Sequence, residues 1–233
     1  MKLRHLSLIV AGLSCGLSLN AADITGKITL KGTAPKEKDI TPLKDDATCG
    51  KFHSTMPTTR FYVVGPNAEL ADVVVSLTGI TGKSAGATAQ PVVLDQKGCE
   101  YVPQILAVQT GQKITIKNSD PVLHNVHASP TVSGNNEENK AQMAGAPDLS
   151  FSFSKPEDFL KFKCDVHPWM FAWISVMDHP YYAVSGKDGT FKIANVPPGK
   201  YTLQANHRKA GKVTQEIEVK DDGAKVELAL EAK

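Results

Sequence analysis

Almost every periodic stretch of this chain alternates apolar and polar residues at a period of two, and no window of a dozen residues carries a sustained helical stripe. A chain patterned this way can bury its apolar residues only as strands with one covered face. We therefore expect an all-β protein. The expected strands are Ile24–Leu30, Phe61–Val64, Asp72–Leu77, Pro91–Leu94, Ile105–Thr110, Lys113–Lys117, Leu160–Cys164, Ala172–Met177, Thr190–Ile193, Tyr201–Asn206, Val213–Val219 and Lys225–Leu230. Turn signals such as Thr110-Gly111-Gln112, Lys187-Asp188-Gly189 and Pro197-Pro198-Gly199 separate them. Residues 31–60, rich in Lys, Thr and Pro, and the polar stretch 128–150 look irregular, the second being long for a hairpin.

Residues 1–22 have the layout of a secretory signal peptide: Lys2 and Arg4, an apolar stretch from Leu6 to Leu19, and small residues Ala21 and Ala22 at the exit. Gly12 stands where a lipoprotein signal needs a large aliphatic residue, so Cys15 is not read as a lipid attachment point. No later segment offers the apolar run of a membrane span, and the expected address is periplasmic or secreted. The chain has 26 Lys and Arg against 24 Asp and Glu, and the leader holds two of the basic ones. A mature chain so close to neutral gives no reason to expect a nucleic acid as partner.

After the leader three cysteines remain, Cys49, Cys99 and Cys164. An odd count in an exported protein implies one pair and one residue with another task. Cys49 and Cys99 are the natural pair, which leaves Cys164 as a free thiolate or a buried inert thiol. Cys164 is followed by His167 and Met170, and His124-Asn125-Val126-His127 stands forty residues earlier. Parity places Leu160, Phe162 and Cys164 on one face of their strand, with Lys161 and Lys163 on the other. His124 and His127 face opposite sides, so only one should ligate. His124 is preferred, because Asn125 could then hydrogen-bond the loop that holds Cys164. A thiolate, two imidazoles and a thioether suit a copper ion that changes oxidation state. A tetrahedral zinc site would use His127 as the spare ligand and would gain nothing from Met170. Met143, in the polar stretch, is the competing thioether.

His124-Asn-Val-His127 together with Cys164-x2-His167-x2-Met170 resembles the type 1 (blue) copper proteins of the cupredoxin family, with a ligand spacing like that of amicyanin. The resemblance covers roughly residues 99–178. It implies a Greek-key β-sandwich, one type 1 copper per chain held by His124, Cys164, His167 and Met170, and electron exchange with periplasmic redox proteins. Of Trp169, Phe171 and Trp173 beside the ligand loop, some are expected to be ordinary core; the functional reading is that Trp169 or Phe171 helps form an apolar patch where such a partner docks. From Tyr182 onward, Asp188-Gly189, Phe191-x-Ile193, Asn195-x-Pro197-Pro198-Gly199 and Tyr201-x-Leu203 resemble the carboxypeptidase regulatory-like (transthyretin-like) β-sandwich.

The expected organisation is thus a leader (1–22), a copper-binding cupredoxin-like domain with an N-terminal extension (23–178), and a small transthyretin-like sandwich (179–233). That last segment is short, and Ile24–Leu30 is a candidate to complete it. The chain has no Gly-x-Ser-x-Gly elbow and no phosphate-cradling glycine loop, and its carboxylates are scattered in turns, so no enzymatic activity is expected. The competing expectation is a cell-envelope binding or copper-sequestering module. His179 and His207 are expected at the surface, as are Glu137 and Glu138.

Overall fold

The computed structural model describes residues 21–233. The expected leader lies outside the described residues except for Ala21 and Ala22, and Cys15 lies outside them too. Strand β1 (Ala22–Lys31) is followed by a one-turn helix, α1 (Thr41–Asp45), and a 3-10 turn at Cys49–Phe52. Next come β2 (Val74–Leu77), β3 (Val92–Gln96), β4 (Tyr101–Val102), β5 (Ile105–Gln109) and β6 (Ile114–Asn118). Then follow β7 (His124–Ser129), β8 (Glu138–Gln142), β9 (Leu149–Phe151), β10 (Glu157–Lys163) and β11 (Phe171–Met177). The remaining strands are β12 (Tyr182–Val184), β13 (Thr190–Val196), β14 (Gly199–His207), β15 (Gly211–Val219) and β16 (Ala224–Glu231). The chain is all-β, as its alternation implies.

Two expectations need correction. Phe61–Val64 forms no strand, because the Glu37 carboxylate accepts the backbone N–H of Phe61 at 3.0 Å and of Tyr62 at 2.7 Å, donors that a ladder would otherwise use. Residues 128–150 are not irregular throughout: they contain the end of β7, all of β8 and the start of β9.

Two sandwiches result. In the first, the sheet β5-β11-β10-β7-β8 faces the sheet β4-β3-β6-β9 across a core that includes Leu94, Ile116, Val126, Phe151, Phe162 and Ile174. In the second, β13-β1-β16 faces β12-β2-β14-β15 across Ile24, Ile28, Val75, Ile193, Leu203 and Leu228. Strand β1 runs antiparallel to β13 and parallel to β16, so residues before the first sandwich complete the second. Strand β2 likewise pairs with β12 and β14. All nine strands of the first sandwich therefore lie between β2 and β12 in sequence. Gly26 shows how tightly β1 is held: a Cβ there would stand 2.1 Å from the Val226 carbonyl oxygen and 2.6 Å from the Phe191 ring.

A small apolar cluster joins the sandwiches. Val74 of β2, Ile105 and Ala107 of β5, and Met177 of β11 pack together there, with Trp173 and Tyr182 at its margin. The Arg208 guanidinium lies 4.2 Å from the Trp173 ring centroid, a cation–π contact across the same junction. Residues 40–53 form a lobe on the first sandwich, anchored by buried Leu43 and by the Cys49–Cys99 disulfide.

Candidate metal centre

The strand before the centre obeys its parity. Leu160, Phe162 and Cys164 are buried while Lys161 and Lys163 are partly exposed, so the last inward position before the β10–β11 connection is a sulfur. Pairing resumes at Lys163 with Phe171, which closes residues 164–170 into a tight loop. Inside the loop the Cys164 N–H donates to the Met170 carbonyl oxygen at 3.0 Å, and the Met170 N–H donates to that of His167 at 2.9 Å. These two bonds fold His167 back beside Cys164.

The second imidazole comes from the first residue of β7. His124 is fully buried, whereas the His127 side chain, on the opposite face, points outward. The Nδ1 atoms of His124 and His167 are 3.0 Å apart, and Cys164 Sγ lies 3.6 Å from His167 Nδ1. One ligand atom from each of the three residues lies within 4.8 Å of the others. Two imidazole nitrogens 3.0 Å apart are close enough to share one ion at roughly 2 Å from each. Met170 is buried in the same core cluster as Cys164. Met143 is 61% exposed and stands outside it.

Electrostatics act differently on the three donors. Burial opposes the Cys164 thiolate, but a hydrogen bond with His124 and the backbone N–H groups of Asn125, His167 and Val166 outweigh it, so the thiol pKa is lowered. Burial also opposes the His124 imidazolium, yet its hydrogen bonds with Asp120 and Cys164 prevail and raise its pKa. Burial and the neighbouring charge of His124 lower the pKa of His167, which favours the neutral, ligating ring.

Asn125 makes the contact expected of it and more. Its Oδ1 accepts the backbone N–H of Asp165 at 2.7 Å and of Val166 at 3.2 Å, and its Nδ2 donates to Asn139 and Asp165. His127 bridges Asp165 (2.8 Å) and Glu137 (2.5 Å), so it braces the outside of the same loop. Glu137 is thus engaged rather than merely solvated.

Sequence reasoning passed over Asp120, which looks like part of a turn signal. Its Oδ2 lies 2.9 Å from His124 Nε2, and its two oxygens accept the backbone N–H groups of Gly98 and Cys99 at 2.7 Å each. A carboxylate on Nε2 fixes the tautomer that leaves the Nδ1 lone pair facing Cys164 and His167. The only hint in the sequence is the four-residue spacing from Asp120 to His124. The disulfide also adjoins the centre: the Cys49 and Cys99 sulfurs and a ring nitrogen of His167 lie within 4.8 Å of one another.

Two imidazole side chains differ from expectation. His179 and His207 are buried, at 5% and 3% exposure, because each accepts backbone N–H groups through Nδ1 inside a turn. Trp169 packs against His167 with ring centroids 5.3 Å apart and donates its indole N–H to the Cys99 carbonyl oxygen at 3.1 Å. The exposed apolar side chains nearby are Leu123 and Val166.

No protein-family model and no curated protein matches this chain. Among solved structures, an amicyanin mutant in its oxidised form is 21% identical over 44% of this chain and 97% of that one, with a TM-score of 0.34. A purple cupredoxin from Nitrosopumilus maritimus is 19% identical over 36% of this chain and 98% of its own, with a TM-score of 0.31. A copper-containing nitrite reductase from Thermus scotoductus SA-01 is 19% identical over 43% of this chain and 25% of its own, with a TM-score of 0.34. Likenesses of this size carry no weight for the centre, which stands on its own distances. No helix among the described residues is long and apolar enough to cross a membrane.

Proposed function

We propose that this chain binds one copper ion through His124, Cys164 and His167, with Met170 as a weaker fourth donor, and carries single electrons between redox proteins outside the cytoplasm. The observation that carries this reading is the convergence of Cys164 Sγ and the Nδ1 atoms of His124 and His167 in a buried space, with a lowered thiol pKa. Copper bound there would supply one-electron redox chemistry, since a thiolate and two imidazoles with one weak thioether can hold it in both oxidation states.

The protein's own part is to hold the donors still. Asp120 orients His124, Asn125 and the two loop hydrogen bonds fix Cys164 and His167, and Trp169 shields one side of the His167 ring. Donors that do not move between oxidation states keep reorganisation small. Such a site is a carrier's rather than an enzyme's. The first sandwich reads as the cupredoxin-like unit, and the second, with its regulatory-like sequence pattern, as the scaffold or docking surface beside it.

The test is spectroscopic. Purified protein loaded with Cu(II) should show an intense visible thiolate-to-copper band that bleaches reversibly on reduction and is absent from Cys164→Ser. A colourless protein with stoichiometric zinc would end the copper reading. A strong band without a reversible couple would favour copper sequestration over electron transfer.

A further inference from the structure

A disulfide lies against the candidate copper ligands, and its two cysteines are held together by more than their shared bond. Cys99 is fixed through its backbone, since its N–H donates to Asp120 at 2.7 Å and its carbonyl oxygen accepts the Trp169 indole N–H at 3.1 Å. Cys49 opens a 3-10 turn, with its N–H donating to Asp46 Oδ1 at 2.7 Å. The lobe carrying Cys49 is tied to the Cys99 segment a second time: Lys44 Nζ donates to the His53 carbonyl oxygen at 2.6 Å, and His53 Nε2 contacts the Gly98 carbonyl oxygen at 2.8 Å. Buried Leu43 adds an apolar anchor to the same cluster. The bonded sulfurs thus lie in a buried space beside a His167 nitrogen, with their backbones held by contacts other than the S–S bond.

We propose that Cys49, Cys99 and His167 form a second soft-metal site, closed while the disulfide stands and opened by its reduction, that takes Cu(I). Two molecules of a thiol reductant supply two electrons and two protons. They leave as one disulfide, and the Cys49–Cys99 bond becomes two thiols. Cu(I) displaces both thiol protons to solvent and is held by two thiolates and an imidazole, the soft donor set it prefers. His167 belongs to both sites, so the second draws on a ligand of the first. Copper retention in the first site thereby becomes sensitive to the thiol status of the compartment. The second site does not require the Cys164 site to carry electrons.

The test uses the full chain with Cys164→Ala, so that the first site lacks its thiolate. The protein is reduced with dithiothreitol, freed of reductant by anaerobic gel filtration, and titrated with Cu(I) against a chromogenic Cu(I) chelator. Reduction should add one tightly bound Cu(I) per chain, at least about a hundredfold tighter than in the oxidised chain. Adding Cys49→Ser should abolish the gain, and adding His167→Ala should weaken it tenfold or more. If Cys164→Ala does not fold, Cys164→Ser serves in the same titration. The proposal is overturned if reduction adds no equivalent. It is equally overturned if the His167→Ala chain binds as tightly, or if far-ultraviolet circular dichroism shows that the reduced chain has unfolded, because disordered thiols would then be the ligands.

Discussion

His124 Nε2 lies 2.9 Å from Asp120 Oδ2, and both side chains are almost wholly removed from solvent. Four residues separate them, so one turn before β7 supplies both an imidazole and the carboxylate that orients it. Replacing Asp120 with Asn keeps the size and one of the two oxygens that accept the Gly98 and Cys99 N–H groups, and it removes the charge on His124. Copper affinity should fall about 10- to 100-fold in Asp120→Asn, as for other partners that orient a metal-bound histidine. Chelator competition measures this, and an affinity within twofold of the parent would dismiss the role.

Asn125 closes the ligand loop through two backbone N–H groups, those of Asp165 and Val166. Asn125→Leu leaves both without their acceptor. At about 1–3 kcal/mol for each donor left unsatisfied, the metal-free protein should lose roughly 2–6 kcal/mol in urea unfolding. A loss of under about 1 kcal/mol would mean that water replaces Asn125 there.

Met170→Leu separates packing from ligation. Met170 is 1% exposed in the core, and a swap that conserves volume should cost less than about 1.5 kcal/mol. Without the thioether, the copper reduction potential should move upward in protein-film voltammetry, since a donor to the oxidised ion is lost. Met143→Leu, at a residue 61% exposed, should leave the potential where it was. Equal potentials in the parent and Met170→Leu would remove Met170 from the ligand set.

His207 should make the second sandwich sensitive to acid. Burial and the adjacent Arg208 charge lower its pKa to about 4, and its Nδ1 accepts the N–H groups of Ala210 and Lys209. Between the ordinary value of 6.5 and about 4, the unfolded chain carries a proton there that the folded chain does not. Stability therefore rises with pH across that window and is lost as pH falls toward its lower end. Urea midpoints taken at about pH 7, 6 and 5 should decline, and His207→Gln should decline less steeply. Parallel slopes for the two chains would assign the acid sensitivity elsewhere.

Legibility in the sequence followed burial. Strands with one apolar face, such as Ile114–Asn118 and Phe171–Met177, announce themselves because every second residue enters the core. The same parity puts Cys164 inside and separates His124 from His127. Strand β8 does not announce itself: Glu138-Asn139-Lys140-Ala141-Gln142 is the outer strand of its sheet, and only Gln142 is buried. Edge strands carry charge that discourages pairing with other chains, and that charge imitates a loop. Asp120 was hidden for a different reason. Its partners Gly98 and Cys99 lie just past the neighbouring strand β3, 22 and 21 residues earlier in the sequence, and no local pattern records a contact made only on folding. His179 and His207 went unrecognised because a buried histidine that accepts backbone N–H groups leaves no periodic trace.

The placement of β1 between β13 and β16 sets an order of events in folding. The first sandwich is built wholly from residues 92–177 and can close as soon as that stretch is available. The second cannot. Its central strand is made early and must wait, with Ile24, Ile28 and Leu30 uncovered, until residues 190–231 arrive to flank it. Pairings so distant along the chain are slow, because the loop must close before any contact repays it. The half that carries the candidate metal centre should therefore be a finished folding unit while the strand that precedes it is still seeking its partners, and the closing of β1 becomes the last step that draws the two halves into one molecule.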